Sequence, residues 1–332
     1  MKIQSFIGNT PLVELKTFDV PADVRILAKL EFFSPSGSIK DRIVSYIIDD
    51  AERRGLLKPG ATIVENTSGN TGAAIAALAA TRGYRAILTM PDKVSKEKQG
   101  ALRAMGAQLI VCPTSAPPDT AEHYVTHARR IHAETPNSFM LNQYDNPLNA
   151  EAHFNSTGPE IWSALGRSVT AFVASGSTGG TLSGTSRFLK LKNSAVKSVL
   201  LDPVGSIYHR YFHEGVVDPS QIAPYFVEGA GEDHLAKCMD FSVVDDVIQF
   251  TDADAFDTCQ HLAQREGLIC GGTSGANVWG AVQVARSMTK PATIVTVLPD
   301  SGNKYISKIY NPEWLSQNGF KFGEARTLEA AP

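Results

Sequence analysis

The sequence predicts an α/β protein of two open, mainly parallel α/β/α domains, with the functional site in the cleft between them. Three observations predict it. Short apolar runs alternate with stretches of helical period along most of the chain, which is the signature of βαβ units and a parallel sheet. Loops of small and hydroxylated residues recur where a strand gives way to a helix. The alternation starts afresh after Asn142-Gln-Tyr-Asp-Asn-Pro147, giving an N-terminal α/β domain at 1–145, a C-terminal α/β domain at 146–322 and a tail at 323–332. Open parallel sheets bind ligands beyond the carboxyl ends of their strands, hence the expectation of a cleft site.

In order, Gly8-Asn-Thr-Pro11 is a turn and Leu12-Val-Glu-Leu15 a short strand; the early strands are expected to pair with the second domain. The apolar run 26–33 reads as a strand, and 42–54 carries Ile43, Tyr46, Ile47 and Ala51 at helical spacing. Lys58-Pro-Gly60 turns the chain into strand 62–65, loop 66–71 and the Ala-rich helix 72–82. Strand 85–90, helix 95–105, strand 108–111, helix 120–134 and strand 139–141 complete the first series. The second has a helix at 150–165, strand 171–174, loop 175–181, a helix to Lys192 and strand 198–202. Residues 204–232 show no period and read as a functional or interface loop. Strand 247–250, helix 252–266, loop 270–277, an Ala/Val-rich helix to Met288, strand 293–298 and the turn Pro299-Asp-Ser-Gly302 follow, and the tail is expected to fray.

The 332 residues suffice for two ample cores, and 43% hydrophobic against 20% charged residues is a soluble, globular balance. Net charge is -3 and no Lys/Arg cluster stands out, so neither nucleic acid nor an anionic membrane is an expected partner. There is no apolar leader at the N-terminus and no apolar run of about 18 residues, which predicts a cytoplasmic address. Cys112, Cys238, Cys259 and Cys270 lie apart without a C-x-x-C and are expected as buried free thiols. The pairs His123/His127 and His209/His213 lack the Glu of a zinc-hydrolase helix, so no metal site is expected.

Chemistry is read from Ser34-Pro-Ser-Gly-Ser-Ile-Lys-Asp-Arg42. A lysine at a strand-to-helix turn lies among backbone N–H groups at a helix start, surroundings that favour the free amine a Schiff base requires. Three further loops share its setting: Thr67-Ser-Gly-Asn-Thr-Gly72, Ser175-Gly-Ser-Thr-Gly-Gly-Thr181 and Gly271-Gly-Thr-Ser-Gly275. Small residues let a ligand approach the backbone, while hydroxyls and N–H groups donate to oxygen. Loop 177–181 has the makings of a phosphate cradle, but lacks the Lys of a Walker loop and the G-x-G-x-x-G of a dinucleotide site. A mononucleotide or a compact phosphorylated cofactor suits it better. Loop 67–72 suits a carboxylate, with the Asn70 amide facing a ring hydroxyl.

Asn9-Thr-Pro11, Ser36-Gly-Ser-Ile-Lys-Asp-Arg42, Glu65-Asn-Thr-Ser-Gly-Asn-Thr-Gly72, Gly176-Ser-Thr-Gly-Gly-Thr181 and Gly271-Gly-Thr-Ser-Gly275 together resemble, in order and spacing, the pyridoxal-phosphate enzymes of the cysteine synthase and cystathionine β-synthase family. The resemblance covers residues 4–320 and implies fold type II, the tryptophan synthase β-like fold, with pyridoxal 5'-phosphate as cofactor. It matches Lys40 to the lysine that bonds the cofactor aldehyde and later takes the substrate Cα proton. Asn70 matches the partner of the ring oxygen, and Ser177, Thr178, Gly179, Gly180 and Thr181 the phosphate cradle of the C-terminal domain. Thr67, Ser68, Asn70, Thr71 and Gln143 match the holders of the substrate α-carboxylate, and Thr273 matches a serine at the pyridine nitrogen. A hydroxyl there, in place of a carboxylate, limits the electron sink and favours β-elimination over transamination or racemisation.

Glu31-Phe-Phe33, Asp92-Lys-Val-Ser-Lys-Glu-Lys98, Gln143-Tyr144, Val227-Glu-Gly-Ala-Gly-Glu-Asp233, Cys270-Gly-Gly272 and Leu298-Pro-Asp-Ser301 lean toward the cystathionine β-synthase side. The haem-binding extension and C-terminal regulatory pair of some relatives are not expected. Three departures bear on the acceptor: Ser177 for the first glycine of the phosphate loop, Gly229-Ala-Gly-Glu-Asp-His234-Leu-Ala236 where Gly-Ile-Gly-x-x-Phe-Ile-Pro is usual, and Thr273 for Ser. The implied reaction is β-replacement on L-serine or an O-activated L-serine, with a thiol or sulfide acceptor, giving cystathionine or cysteine. An amine acceptor giving a 2,3-diaminopropionate derivative is the alternative. A non-catalytic binding relative and a nucleotide-dependent enzyme are the rivals. Small amino-acid substrates and a homodimer are also implied.

Overall fold

The computed structural model of the protein describes residues 2–67, 69–92, 94–117, 120–321 and 323. In chain order the elements are β1 (Leu12–Leu15), β2 (Val24–Leu30), α1 (Lys40–Arg53), β3 (Thr62–Asn66), α2 (Asn70–Arg82), β4 (Arg85–Pro91), α3 (Lys96–Ala104), β5 (Gln108–Cys112), α4 (Tyr124–Glu134) and β6 (Ser138–Met140). Then come α5 (Leu148–Asn155), α6 (Thr157–Leu165), β7 (Val169–Ser175), α7 (Gly180–Lys192), β8 (Lys197–Pro203), α8 (Tyr208–Glu214), β9 (Asp246–Phe250), α9 (Asp252–His261), α10 (Gly272–Arg286), β10 (Ala292–Leu298) and α11 (Pro312–Gln317). The chain forms two compact units: Ser34–Leu148 with the N-terminal residues to Ile7, and Gly8–Phe33 with the chain from Asn149 onward.

In the first unit a four-stranded sheet has the order β5-β4-β3-β6, with every pair parallel. Parallel strands covered on both faces lose the in/out alternation of a half-exposed sheet, and β3 is buried at all five positions. In α1, Ile43, Val44, Ile47 and Ile48 form one fully buried stripe. Each contributes about 1.5–3 kcal/mol through removal from water, and Gly55, at φ +69, turns the chain away after the last turn.

The second unit has a six-stranded sheet of order β1-β2-β10-β7-β8-β9. Only β1 runs against its neighbour, pairing Leu12 with Lys29 and Leu15 with Ile26. Strand β10 lies between β2 and β7 and is buried throughout. Helix α10 is buried almost all round, so its sequence reads as a run of Ala, Val and Gly with no polar face. The predicted fold class, open and mainly parallel sheets with helices, is the one observed.

Some boundaries differ from expectation for local reasons. The first long strand ends at Leu30, and Glu31–Phe33 forms a short helical turn. Thr10 Oγ1 donates to the buried Glu31 carboxylate at 2.7 Å, which pulls that residue out of the ladder. The helix foreseen at 150–165 is broken at Ser156, whose hydroxyl donates back to the Ala152 carbonyl at 2.6 Å. Residues 204–232, expected without structure, contain α8. Helix α11, missed in the sequence, is short and starts at Pro312 behind Asn311, whose side chain accepts from Glu313 N–H at 2.9 Å.

Candidate active site

Lys40 is half-buried at the first position of α1. The turn before it is held by Asp41, which is 2% exposed and receives the Ser36 N–H at 2.7 Å as well as the Ser36 hydroxyl. A carboxylate in the first turn also meets the positive end of the helix. Gly37, at φ +75, supplies the left-handed step between the two serines. The lysine is thus presented by a short turn anchored at both ends.

In the loop before α2, Thr67 Oγ1 accepts from the N–H groups of Gly69 and Gly72, both at 3.1 Å. That hydroxyl caps the helix start. Asn70 is half-buried as the first residue of α2, and Thr71 donates its hydroxyl to Gln143 Oε1 at 2.6 Å. Ser68 lies outside the described residues. Gly72 has no room for a side chain, since a Cβ there would lie 2.7 Å from Thr67 Cγ2. At Gly69 a Cβ would meet Lys98 Cδ at 3.3 Å, so the stem of a lysine to which the sequence gave no role runs beside this loop.

Glu65, near the end of β3, is 1% exposed, and its Oε2 accepts the Asn142 N–H at 2.9 Å. The Leu141 and Gln143 N–H groups also favour its charge, yet burial pushes the carboxyl up to about 7.

In the second unit β7 runs into the loop 175–181 and then α7. A Cβ on Gly179 would lie 2.5 Å from Met239 Cα, and one on Gly180 would lie 2.0 Å from Asn149 Oδ1. Gly179 is also left-handed, at φ +82. Only glycine fits, and the backbone N–H groups at the start of α7 therefore lie bare of side chains. Asn149 Nδ2 donates to Thr178 Oγ1 at 3.0 Å, and Thr181 Oγ1 lies 3.2 Å from His153 Nε2. Ser175 donates both its N–H (2.7 Å) and its hydroxyl (2.5 Å) to Asn277 Oδ1. Ser177 donates to Glu232 Oε1 at 2.5 Å, and the Tyr208 hydroxyl donates to the Ser177 carbonyl at 2.6 Å. Thr273, in the first turn of α10, is 6% exposed and donates to the Glu228 carbonyl at 2.6 Å.

A family described as pyridoxal-phosphate dependent enzyme matches residues 3–300. The chain belongs to this family. Over 325 residues it is 40% identical to a cystathionine beta-synthase of Apis mellifera, spanning 96% of this chain and 63% of that protein. It is 40% identical over 306 residues to an O-acetylserine dependent cystathionine beta-synthase of Bacillus subtilis, spanning 92% of this chain and 96% of the other. The crystal structure of an O-ureido-L-serine synthase aligns with TM-score 0.86 and 32% identity, covering 97% of this chain and 96% of that one.

Pyridoxal phosphate, the cofactor of the family, fits the residues present. The start of α7 offers N–H donors where a Cβ would fill the space, Thr273 offers a buried hydroxyl, and Lys40 an amine at a helix start. Sequence reasoning missed the residues that support these groups: Asn149 behind the cradle, Asn277 behind Ser175, and Glu232 on Ser177. Asn277 leaves one trace, an amide in the Ala/Val-rich α10 that is wholly buried. Glu232, Asp233 and His234 place their ligand atoms within 4.8 Å of one another. His234 Nδ1 lies 2.9 Å from Asp233 Oδ1, so pairing within the group accounts for it. The four cysteines are buried and form no disulfide. Among the described residues no helix is long and apolar enough to cross a membrane.

Proposed function

We infer that the protein catalyses β-replacement on L-serine or an O-activated L-serine with a thiol or sulfide acceptor, giving cystathionine or cysteine. The observation that carries this reading is the glycine-walled start of α7 in the same unit as Thr273, a phosphate cradle and a hydroxyl for a pyridine ring. The likeness to cystathionine beta-synthases, of which the chain spans 63% in Apis mellifera, supports the substrate class.

When bound, pyridoxal phosphate supplies an electron sink that acidifies the substrate Cα–H and lets the β-substituent leave. Lys40 would hold the cofactor by its aldehyde and then carry the Cα proton on Nζ. Residues 177–181 would hold the phosphate through N–H groups and hydroxyls, Thr273 the pyridine nitrogen, and Asn70 the ring oxygen. Thr67, Ser68, Asn70, Thr71 and Gln143 would grip the α-carboxylate, which orients the Cα–H toward the lysine and excludes water. The reading includes a cytoplasmic homodimer, checked by sedimentation and fractionation.

A second reading, an amine acceptor giving a 2,3-diaminopropionate derivative, is supported by the Ser177–Glu232 contact, which ties one departure from the family pattern, Ser177, to the segment 229–236 that carries another. One experiment separates the two. The purified protein is offered L-serine, O-acetyl-L-serine and O-phospho-L-serine, then sulfide, homocysteine, cysteine and amines, and products are identified by mass. A thioether or cysteine supports the first reading and a diamino acid the second. No product from any pair, with Lys40 unlabelled after borohydride reduction, sinks both.

A further inference from the structure

The end of β3 and the segment 141–143 form an arrangement that the proposed reaction does not use directly. The Asn142 N–H donates to the buried carboxylate of Glu65 at 2.9 Å, and the N–H groups of Leu141 and Gln143 on either side also favour its charge. Asn142 has φ +52, a left-handed conformation, and consecutive N–H groups gathered by such a residue form a concave anion site. Here the anion belongs to the protein itself. The next side chain is Gln143, whose Oε1 accepts the Thr71 hydroxyl at 2.6 Å. The turn is held from its other side by the Asp145 and Asn146 N–H groups on the Asn142 carbonyl, at 3.1 and 2.9 Å, so the carboxylate adds to bonds already in place.

We propose, on the reading of Gln143 as a ligand of the substrate α-carboxylate, that Glu65 is a positioning residue. Its ionised carboxylate fixes the 141–143 turn, sets Gln143 against Thr71, and makes the carboxylate grip depend on Glu65 being charged.

The neighbouring charges do not account for its behaviour. On the elements packed against β3, His127 of α4 contacts Cys112 Sγ at 3.6 Å and His132 contacts Ser138 Oγ at 2.8 Å. Arg82 of α2 bonds Asp49 at 2.6 Å, and Arg85 of β4 is exposed, as are the remaining charged residues of α4. Asp145 continues the same turn, with its N–H on the Asn142 carbonyl at 3.1 Å. Burial raises the Glu65 carboxyl to about 7 and the three N–H groups oppose it, so its charge changes near neutrality.

The test uses the holoenzyme and two ligands without a β leaving group, L-alanine and L-alaninamide, with binding read from the absorbance shift of the cofactor. At pH 8, Glu65→Gln is expected to weaken L-alanine about tenfold and to leave L-alaninamide unchanged, because charge-assisted hydrogen bonds are roughly twice as strong as neutral ones. As the pH falls to 5.5 the wild type should converge on the variant, with its step near 7, and Gln143→Ala should show no step. Equal L-alanine binding by E65Q and wild type at pH 8 overturns the proposal, provided Gln143→Ala weakens it. If Q143A discriminates L-alanine from L-alaninamide as the wild type does, the carboxylate-binding reading of Gln143 falls instead. Should E65Q not fold, the wild-type and Q143A pH profiles decide: a step that survives in Q143A overturns the proposal.

Discussion

Lys40, Thr273 and Asn277 illustrate three different demands on single side chains. Replacing Lys40 by Ala removes the amine while leaving the Ser36–Asp41 anchor in place. Turnover is expected to fall by about 10²–10⁴-fold or more, with an unchanged far-ultraviolet spectrum as the control. Thr273 donates its one proton to the Glu228 carbonyl, and would turn that proton to the pyridine nitrogen to hold the cofactor. Thr273→Ser should retain the cofactor through dialysis, whereas Thr273→Val, equal in shape but without the hydroxyl, should release it; equal retention would remove Thr273 from the site. Asn277 serves Ser175 with Oδ1 and donates to the Val297 carbonyl at 2.9 Å from Nδ2. Asn277→Ala orphans buried groups at about 1–3 kcal/mol each, which a lowered denaturation midpoint should report.

Among the helices, α2 and α7 begin at functional loops but are started by different means. At α2 one hydroxyl caps two N–H groups, so Thr67→Val should cost about 1–2 kcal/mol and raise KM for the amino acid more than it lowers kcat. At α7 the start is shaped by absent side chains, and Gly180→Ala would drive a methyl into Asn149. Periodicity revealed the existence and order of nearly every strand and helix, because buried stripes and glycine punctuation are local features. What it could not reveal depends on contacts distant in sequence. Phe32 and Phe33 continue the apolar run past Leu30, and only the bond between Thr10 and Glu31 shows why the strand stops there. The helix at 150–165 splits at Ser156, two residues before Gly158 packs against Phe188, where a Cβ would lie 2.7 Å from the Phe188 Cβ. The loops with small residues stood out in the same way, while their supports, Asn149, Asn277 and the N–H groups around Glu65, come from elsewhere in the chain.

For the protein as a whole, two buried acids set a pH dependence of stability. Glu65 is raised from 4.5 to about 7 and Asp202 from 3.8 to about 6, each mainly by desolvation. The folded state keeps these protons at pH values where the unfolded chain has released them, so stability falls as pH rises through these windows and flattens above about 8. A shift of that size corresponds to about 3 kcal/mol for each group. Glu65→Gln should therefore gain stability relative to wild type between pH 5 and pH 8, measured by denaturant unfolding, and Asp202→Asn should do the same between pH 4 and pH 7. A parallel pH response of variant and wild type would contradict this. Above neutrality the charge assigned to Gln143 positioning is thus kept at a loss of stability, the usual trade between function and fold.

Strand β2 has its parallel partner in β10, with Val24 beside Ala292. On a ribosome adding about 5–20 residues per second, that partner emerges roughly 15–50 s later. Meanwhile the β1–β2 hairpin has an open edge, and Ser34–Leu148 can fold before the second unit is complete. Detaching residues 1–33 as a separate peptide should leave β10 with a bare flank, and a nascent chain arrested before residue 292 should be the species most dependent on a chaperone.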